Sequence, residues 1–380
     1  MKICAIGLRG IPDVMGGIET HCENLYTRLA KLDESLDITV IGRSGYARSG
    51  RHGNVRVVSL WAPKRRALET LVHTPLAILY ARLFLHPDVI HLHAIGPGFF
   101  APMARLFGFR VIGTHHAADY DRPKWGRFGK WFLKTGEGMM ARFSEEMICV
   151  SHIIENRMAS EHPERRDRFV TIHNGAPPPT TVDEDSSELL DALGVESKRY
   201  ILCVGRLDPT KGFHDLVAAF GKAQPAGMKL LVVGSSMGSD DYADNLRRNA
   251  PPNVIFAGRR SAKEVALLYR NAGLFVHPSY LEGFPLVLLE AVAADTPLVV
   301  SDIPEHKELG LDPGAYYPRG DVEALSAKLM ADPEIYRCTR RAQILEENDW
   351  DAIARRHHDI ILRQPGAPRR PQPAGAPQPS

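Results

Sequence analysis

Apolar residues along this chain gather in short runs that alternate with stretches of helical spacing. The runs predict strands near residues 2–7, 37–41, 55–59, 89–92, 110–113, 146–150 and 169–172. Between the first two, Cys22, Leu25, Tyr26, Leu29 and Leu32 recur on one face of a helix over 19–32. The pattern stops at Asn174-Gly-Ala-Pro-Pro-Pro, a turn leading into an acidic stretch. It resumes with strands near 200–204, 229–233, 254–257, 274–276 and 298–300. Alternation of this kind builds parallel sheets from βαβ units, so the chain reads as α/β with two Rossmann-like domains. The domains fall at 1–174 and 187–348 about a linker at 175–186. A terminal helix at 349–363 is a candidate to cross back to the first domain. Residues 364–380, almost all Gln, Pro, Gly, Ala, Arg and Ser, are expected to be disordered.

A chain of 380 residues is long enough for two cores. The net charge of +2 hides an asymmetry, because residues 1–175 carry 24 Lys and Arg against 17 Asp and Glu. The first domain is therefore the one that faces anions. A surplus of this size suits a membrane surface or a phosphorylated acceptor better than nucleic acid, which is excluded as a partner. Five cysteines without C-x-x-C spacing read as reduced core residues of a cytoplasmic protein. The apolar start is too short for a signal peptide, and the stretch 68–85 is interrupted by His73, Pro75 and Arg82, so neither is read as a membrane span.

The richest local signal is Ser279-Tyr-Leu-Glu-Gly-Phe-Pro-Leu-Val-Leu-Leu-Glu290. Pro285 suits the first position of a helix, and Gly283 permits close backbone approach. Glu282 lies just before that helix. Glu290 lies inside it among Leu288, Leu289, Ala291 and Val292, where a carboxylate needs a hydrogen-bonding partner or a route to solvent. Sugar hydroxyls are such partners, and the helix N-terminus favours a phosphate. Upstream, the strand at 200–204 runs into a loop bearing Arg206 and Lys211, a planar fork and a point charge suited to a diphosphate leaving group.

Together Arg206-x4-Lys211 and Glu282-x7-Glu290 resemble the family 4 retaining glycosyltransferases of the GT-B fold, over roughly residues 1–362. In the first domain, Gly7-Leu-Arg-Gly-Ile-Pro-Asp-Val-Met-Gly16-Gly17 resembles that family's glycine loop toward the donor diphosphate, and its wording is similar to rhamnosyltransferase-like enzymes of bacterial surface-polysaccharide assembly. The pattern is not G-x-G-x-x-G, which argues against a nicotinamide cofactor. The resemblance implies a nucleoside-diphosphate-sugar donor as co-substrate, no cofactor and no metal, with a glycan or polyprenyl-linked acceptor. It assigns Arg206 and Lys211 to the diphosphate, Glu282 and the Gly283–Phe284 backbone to the sugar, and Glu290 to the ribose, with Gly16, Gly17 and Pro285 shaping the donor site. His116 best matches the family's active-site histidine, with His115 as the competing alignment.

Two further features stand outside that scheme. His91 and His93 alternate like a metal pair, but without spaced Cys or Glu partners they read as strand-end residues. Residues 120–134 interleave five cations with five aromatics, a mixture suited to anionic lipid at a membrane interface. The alternatives to a transferase are a sugar-nucleotide epimerase on the same plan and a non-catalytic nucleotide or carbohydrate binder.

Overall fold

The structure, a computed structural model, describes residues 1–63, 65–122, 125–178, 186–236 and 241–363. The expected tail at 364–380 lies outside them, as do seven residues of the linker, 179–185. The first sheet contains β1 (Lys2–Ile6), β2 (Asp37–Arg43), β3 (Gly50–His52), β4 (Val55–Leu60), β5 (Val89–His93), β6 (Arg110–His115), β7 (Glu146–Cys149) and β8 (Phe169–Thr171). Its order is β3-β4-β2-β1-β5-β6-β7-β8, parallel throughout except for the β3–β4 pair. The second sheet contains β9 (Tyr200–Val204), β10 (Lys229–Val233), β11 (Val254–Gly258), β12 (Leu274–His277), β13 (Leu298–Ser301) and β14 (Tyr316–Tyr317), in the all-parallel order β11-β10-β9-β12-β13-β14.

Strands such as Tyr-Ile-Leu-Cys-Val are apolar at successive positions because helices cover both faces of a parallel sheet. In each sheet the chain winds outward in both directions from its first strand. This leaves a crevice at the carboxyl ends of β1 and β5 in one sheet and of β9 and β12 in the other, the usual place for a ligand.

Helix Gly17–Leu32 buries Cys22, Leu25, Tyr26 and Leu29 as its spacing requires. The segment Leu68–Leu85 is long and apolar enough to cross a membrane, and a third of it is buried. Its inner side, with His73, Ala77, Ile78 and Ala81, packs into the first unit, and the His73 ring bonds the Gly42 carbonyl at 3.0 Å. The final helix, Trp350–Leu362, begins on the Asp349 cap. It lies against helix Gly17–Leu32, with Trp350, Ile353, Ala354, Ile360 and Ile361 in the core of the first unit. Arg110 donates to the carbonyls of Ile360 and Ile361 and fixes its end.

Candidate active site

The loop after β9 carries Arg206, then Asp208, which caps the turn Pro209–Lys211 by accepting from the Thr210 N–H at 3.0 Å and hydroxyl at 2.6 Å. Gly212 follows at φ +66°, and a Cβ there would stand 2.0 Å from the Pro278 carbonyl oxygen, so the β9 and β12 loops pack backbone to backbone. That approach brings Lys211 onto Glu282. The Lys211 ammonium donates to Glu282 Oε1, which also accepts from His277 Nε2 at 2.7 Å. Burial alone would raise the Glu282 carboxyl, but Lys211 and His277 hold it well below the usual carboxylate range. Burial lowers Lys211 in turn.

Glu282 was read as a sugar ligand and Lys211 as a phosphate ligand; the fold places them as one buried pair. Gly283 is required where the second unit meets the first, since a Cβ on it would fall 1.6 Å from the His116 carbonyl oxygen. Phe284 is buried and stacks on His173, with ring centroids 4.3 Å apart and planes within 4°. Its carbonyl accepts from Asn174 Nδ2 at 2.7 Å, and Asn174 Oδ1 accepts from His21 at 2.9 Å. Pro285 stands one residue earlier than expected. It is the N-cap of helix Leu286–Ala293, in extended conformation. Glu290, half-buried on that helix, is raised by burial, which the neighbouring Tyr269 hydroxyl opposes without a hydrogen bond within 3.5 Å.

In the first unit Gly16, at φ +149°, ends the β1 loop, where a Cβ would meet Glu19 Oε2 at 2.0 Å. Glu19 accepts from the Arg9 N–H at 3.0 Å, and Gly17 opens the helix with space around it. The two adjacent histidines part ways. His115 is fully buried and bonds Glu137 at 2.5 Å, with Arg157 on the same carboxylate at 2.7 Å, while His116 keeps some exposure at the cleft. The Glu137 carboxyl, which burial would raise, is brought down to about 2 by His115 and Arg157. His93 ends β5, as read from the sequence, and His91 lies two residues before it on the same face; both are fully buried and bonded to Tyr26.

Arg122 is a site residue that the sequence reading assigned elsewhere. It belongs to the basic aromatic segment, but it points inward, bonding Asp119 at 2.7 Å and lying 3.7 Å from Asp208 of the second unit. Tyr120 also turns in, donating to Glu137 at 3.1 Å. The Asp119-x-x-Arg122 spacing was the available signal. Burial lowers Arg206, and the charge of Arg122 lowers it further, against the pull of Asp208. Three cations from two units thus converge beside the β9 and β12 loops, an arrangement suited to an anion with more than one phosphate.

Among the described residues three groups bring metal-ligating atoms within 4.8 Å of one another: His21, His93 and His116; His152, His173 and Glu308; His277, Glu282 and His306. In the second and third a donor that cannot ligate an ion already occupies the carboxylate, and in the first two of the ring nitrogens face each other. His93 bonds His116 at 3.1 Å, Glu308 accepts from His173 at 2.8 Å and from the His152 N–H at 2.5 Å, and Glu282 accepts from Lys211 and His277. None is assigned as a metal centre.

Comparison with known proteins bears on the family and the fold. The family described as Glycosyltransferase Family 4 matches residues 15–178, and that described as Glycosyl transferases group 1 matches residues 187–331. An uncharacterized glycosyltransferase of Methanocaldococcus jannaschii is 26% identical over 80% of this chain and 81% of its own length. An O-antigen chain mannosyltransferase of Salmonella typhimurium is 28% identical over 49% of this chain and 50% of its own. Among solved structures, sucrose-phosphate synthase from Thermosynechococcus elongatus superposes with a TM-score of 0.79 at 22% identity, covering 95% of this chain and 98% of that one. Anabaena HepE in complex with UDP-glucose gives 0.74 at 20% identity, covering 95% and 99%. The two family matches favour sugar transfer over the epimerase and the non-catalytic binder, and the chain belongs to the family 4 glycosyltransferases, with the GT-B fold.

Proposed function

We propose that the chain is a retaining, metal-independent hexosyltransferase that moves a sugar from a nucleoside diphosphate to a glycan or lipid-linked acceptor in bacterial surface-polysaccharide synthesis. The observation that carries this reading is the convergence of Arg122, Arg206 and Lys211 on the crevice between the units. Fixed cations in a site with little water stabilise charge as it builds on the departing diphosphate, a task that a divalent ion performs elsewhere. Glu282, ionised by Lys211 and His277, accepts hydrogen bonds from sugar hydroxyls. Glu290 takes the ribose, and His116 stands by the reacting sugar. The leaving phosphate oxygen takes the acceptor's proton, so no side chain becomes bonded to the sugar. A UDP-glucose complex of one structural neighbour supports the donor class, and the O-antigen relative supports the polysaccharide setting.

The acceptor is expected at the inner face of the cytoplasmic membrane. Tyr120 and Arg122 turn inward, while Arg127, Lys130 and Lys134 of the same basic segment are exposed; Pro123 and Lys124 lie outside the described residues. Helices Arg66–Tyr80, Ala101–Leu106 and Arg127–Phe143 pack together and enlarge the surface. They and the turn after the first of them expose Leu83, Phe84, Leu106, Phe128 and Trp131 among Arg82, Arg105, Lys130 and Lys134. A groove of about 450 Å³ lined by Tyr120, Asp121, Lys130, Trp131, Lys134 and Thr135 gives a phosphorylated headgroup a place to sit, with two lysines against the single carboxylate of Asp121. Mass spectrometry of products, after incubation with a panel of nucleotide-sugars and polyprenyl-linked acceptors, together with anomeric-proton NMR of product and recovered donor, tests the proposal. Transfer to acceptor with the anomeric configuration kept supports it, whereas an inverted product or an isomerised donor without transfer overturns it.

A further inference from the structure

Behind His116 runs an unbroken line of hydrogen bonds into the first unit. His116 Nε2 meets His93 Nδ1 at 3.1 Å, His93 Nε2 meets the Tyr26 hydroxyl at 2.6 Å, that hydroxyl meets His91 Nδ1 at 2.9 Å, and His91 Nε2 meets Thr114 Oγ1 at 2.7 Å. Tyr26, His91, His93 and Thr114 are wholly buried, and His116 alone retains exposure. Burial also drives all three imidazoles well below their ordinary pKa and Tyr26 above its own, so each ring carries a single N–H and the phenol keeps its proton.

A neutral imidazole donates at one nitrogen and accepts at the other, so the line runs in one of two directions, unless the Tyr26 oxygen accepts from both rings and strands its own buried O–H. In one, Thr114 donates to His91 and each group passes the polarity on, until His93 Nδ1–H donates to His116 Nε2. In the other every bond reverses, and the Thr114 hydroxyl accepts. His91 Nε2 is the partner of that hydroxyl among the described residues, so reversal strands a buried O–H proton. An unmade buried donor costs more than an unused lone pair on an acceptor, which selects the first direction.

We propose that Thr114, His91, Tyr26 and His93 are a positioning relay that fixes His116 as its Nδ1–H tautomer, a hydrogen-bond donor to an oxygen lone pair of the bound sugar. The proposal rests on the reading of His116 as a residue at that sugar. His116 then recognises and polarises an oxygen; it does not take a proton at the nitrogen it offers. The four supporting groups never touch substrate, and the hydroxyl of Thr114 governs a ring four hydrogen bonds away.

The test uses the full chain labelled with ¹⁵N-histidine, reading tautomers from two-bond ¹H–¹⁵N correlations, with the His116 signal assigned by its loss in His116→Gln. The expected result is Nδ1–H for His116 in the wild type and in Thr114→Ser. Thr114→Val and Tyr26→Phe are expected to shift it toward Nε2–H, with kcat down roughly tenfold and donor KM changed by less than about twofold. Nε2–H in the wild type, or Nδ1–H persisting in both Thr114→Val and Tyr26→Phe, overturns the relay. If those two variants do not fold, the wild-type and Thr114→Ser spectra decide. The spectrum needs no substrate, so a wild-type protein with no transferase activity defeats the functional reading separately from the relay.

Discussion

Replacing Lys211 by Met keeps most of the side-chain volume and removes the ammonium that holds Glu282. Both side chains are well shielded, Lys211 at 15% and Glu282 at 9% exposure, so the carboxylate is left with His277 as its remaining bonded partner. Breaking a buried pair from one side costs about 3–5 kcal/mol. For a unit of this size that is a fall in Tm of roughly 6–20 °C. The Glu282 carboxyl is depressed in the fold, so the pair's contribution is complete above the ordinary carboxyl pKa of 4.5 and fades as pH falls toward the lower folded value. The stability gap between wild type and Lys211→Met is therefore full at neutral pH and narrows in acid, as urea melts across pH will read. Adding Glu282→Gln removes the stranded charge, and the double variant is expected to recover much of the lost stability. It is not expected to recover activity. The leaving diphosphate still lacks its cation, and kcat stays roughly 10²-fold to 10³-fold down. A double variant no more stable than Lys211→Met, or one with restored turnover, refutes the argument.

Three other outcomes are expected. Glu290→Gln weakens donor binding in calorimetry with the fold intact; in the wild type, whose Glu290 is raised by burial, donor affinity falls as pH drops into the range above 4.5 where that carboxyl takes up a proton. Gly283→Ala forces a Cβ against the His116 carbonyl, costs roughly 1–3 kcal/mol in chemical denaturation and lowers transfer at saturating donor, and native stability with full turnover would show that the two units need not meet there. Co-sedimentation with anionic vesicles at low salt is expected, weakening as salt rises and on changing Lys130 and Lys134 to Ser; binding indifferent to both removes the basic face from the account.

The strands at 200–204 and 229–233 were legible to the residue, because a strand buried on both faces writes itself as an unbroken apolar run. Two edge strands were not. β3 is Gly-Arg-His and β14 is Tyr-Tyr, too short to carry a period, and each exists by virtue of the neighbour it pairs with. In the site, the residue types at Arg206, Lys211, Glu282 and Glu290 were readable as phosphate and hydroxyl chemistry. Their partnerships were not, since Lys211 and Glu282 stand 71 residues apart and meet only because β9 and β12 are neighbours in the sheet. Arg122 was hidden for a different reason. A segment average assigned it to the outward basic face, whereas one local ion pair with Asp119 turned it inward. His91 and His93 alternate correctly for one face of β5, but the Tyr26 that makes them useful comes from a helix more than sixty residues earlier.

The helix Trp350–Leu362 sets the order in which the two units of this protein are completed. Its apolar face belongs to the same core as β1, β2 and helix Gly17–Leu32, and a Cβ on Gly175 would lie only 2.3 Å from the Trp350 ring. Ribosomal synthesis delivers the first unit's strands early, yet the residues that seal them arrive after the entire second unit has emerged. The half translated first is thus completed last, and until then it leaves exposed an apolar strip the length of a three-turn helix, a surface for a chaperone to hold. Exchange of second units between relatives carries the same constraint: a graft that ends before Trp350 would strip the recipient's first unit of its own interior.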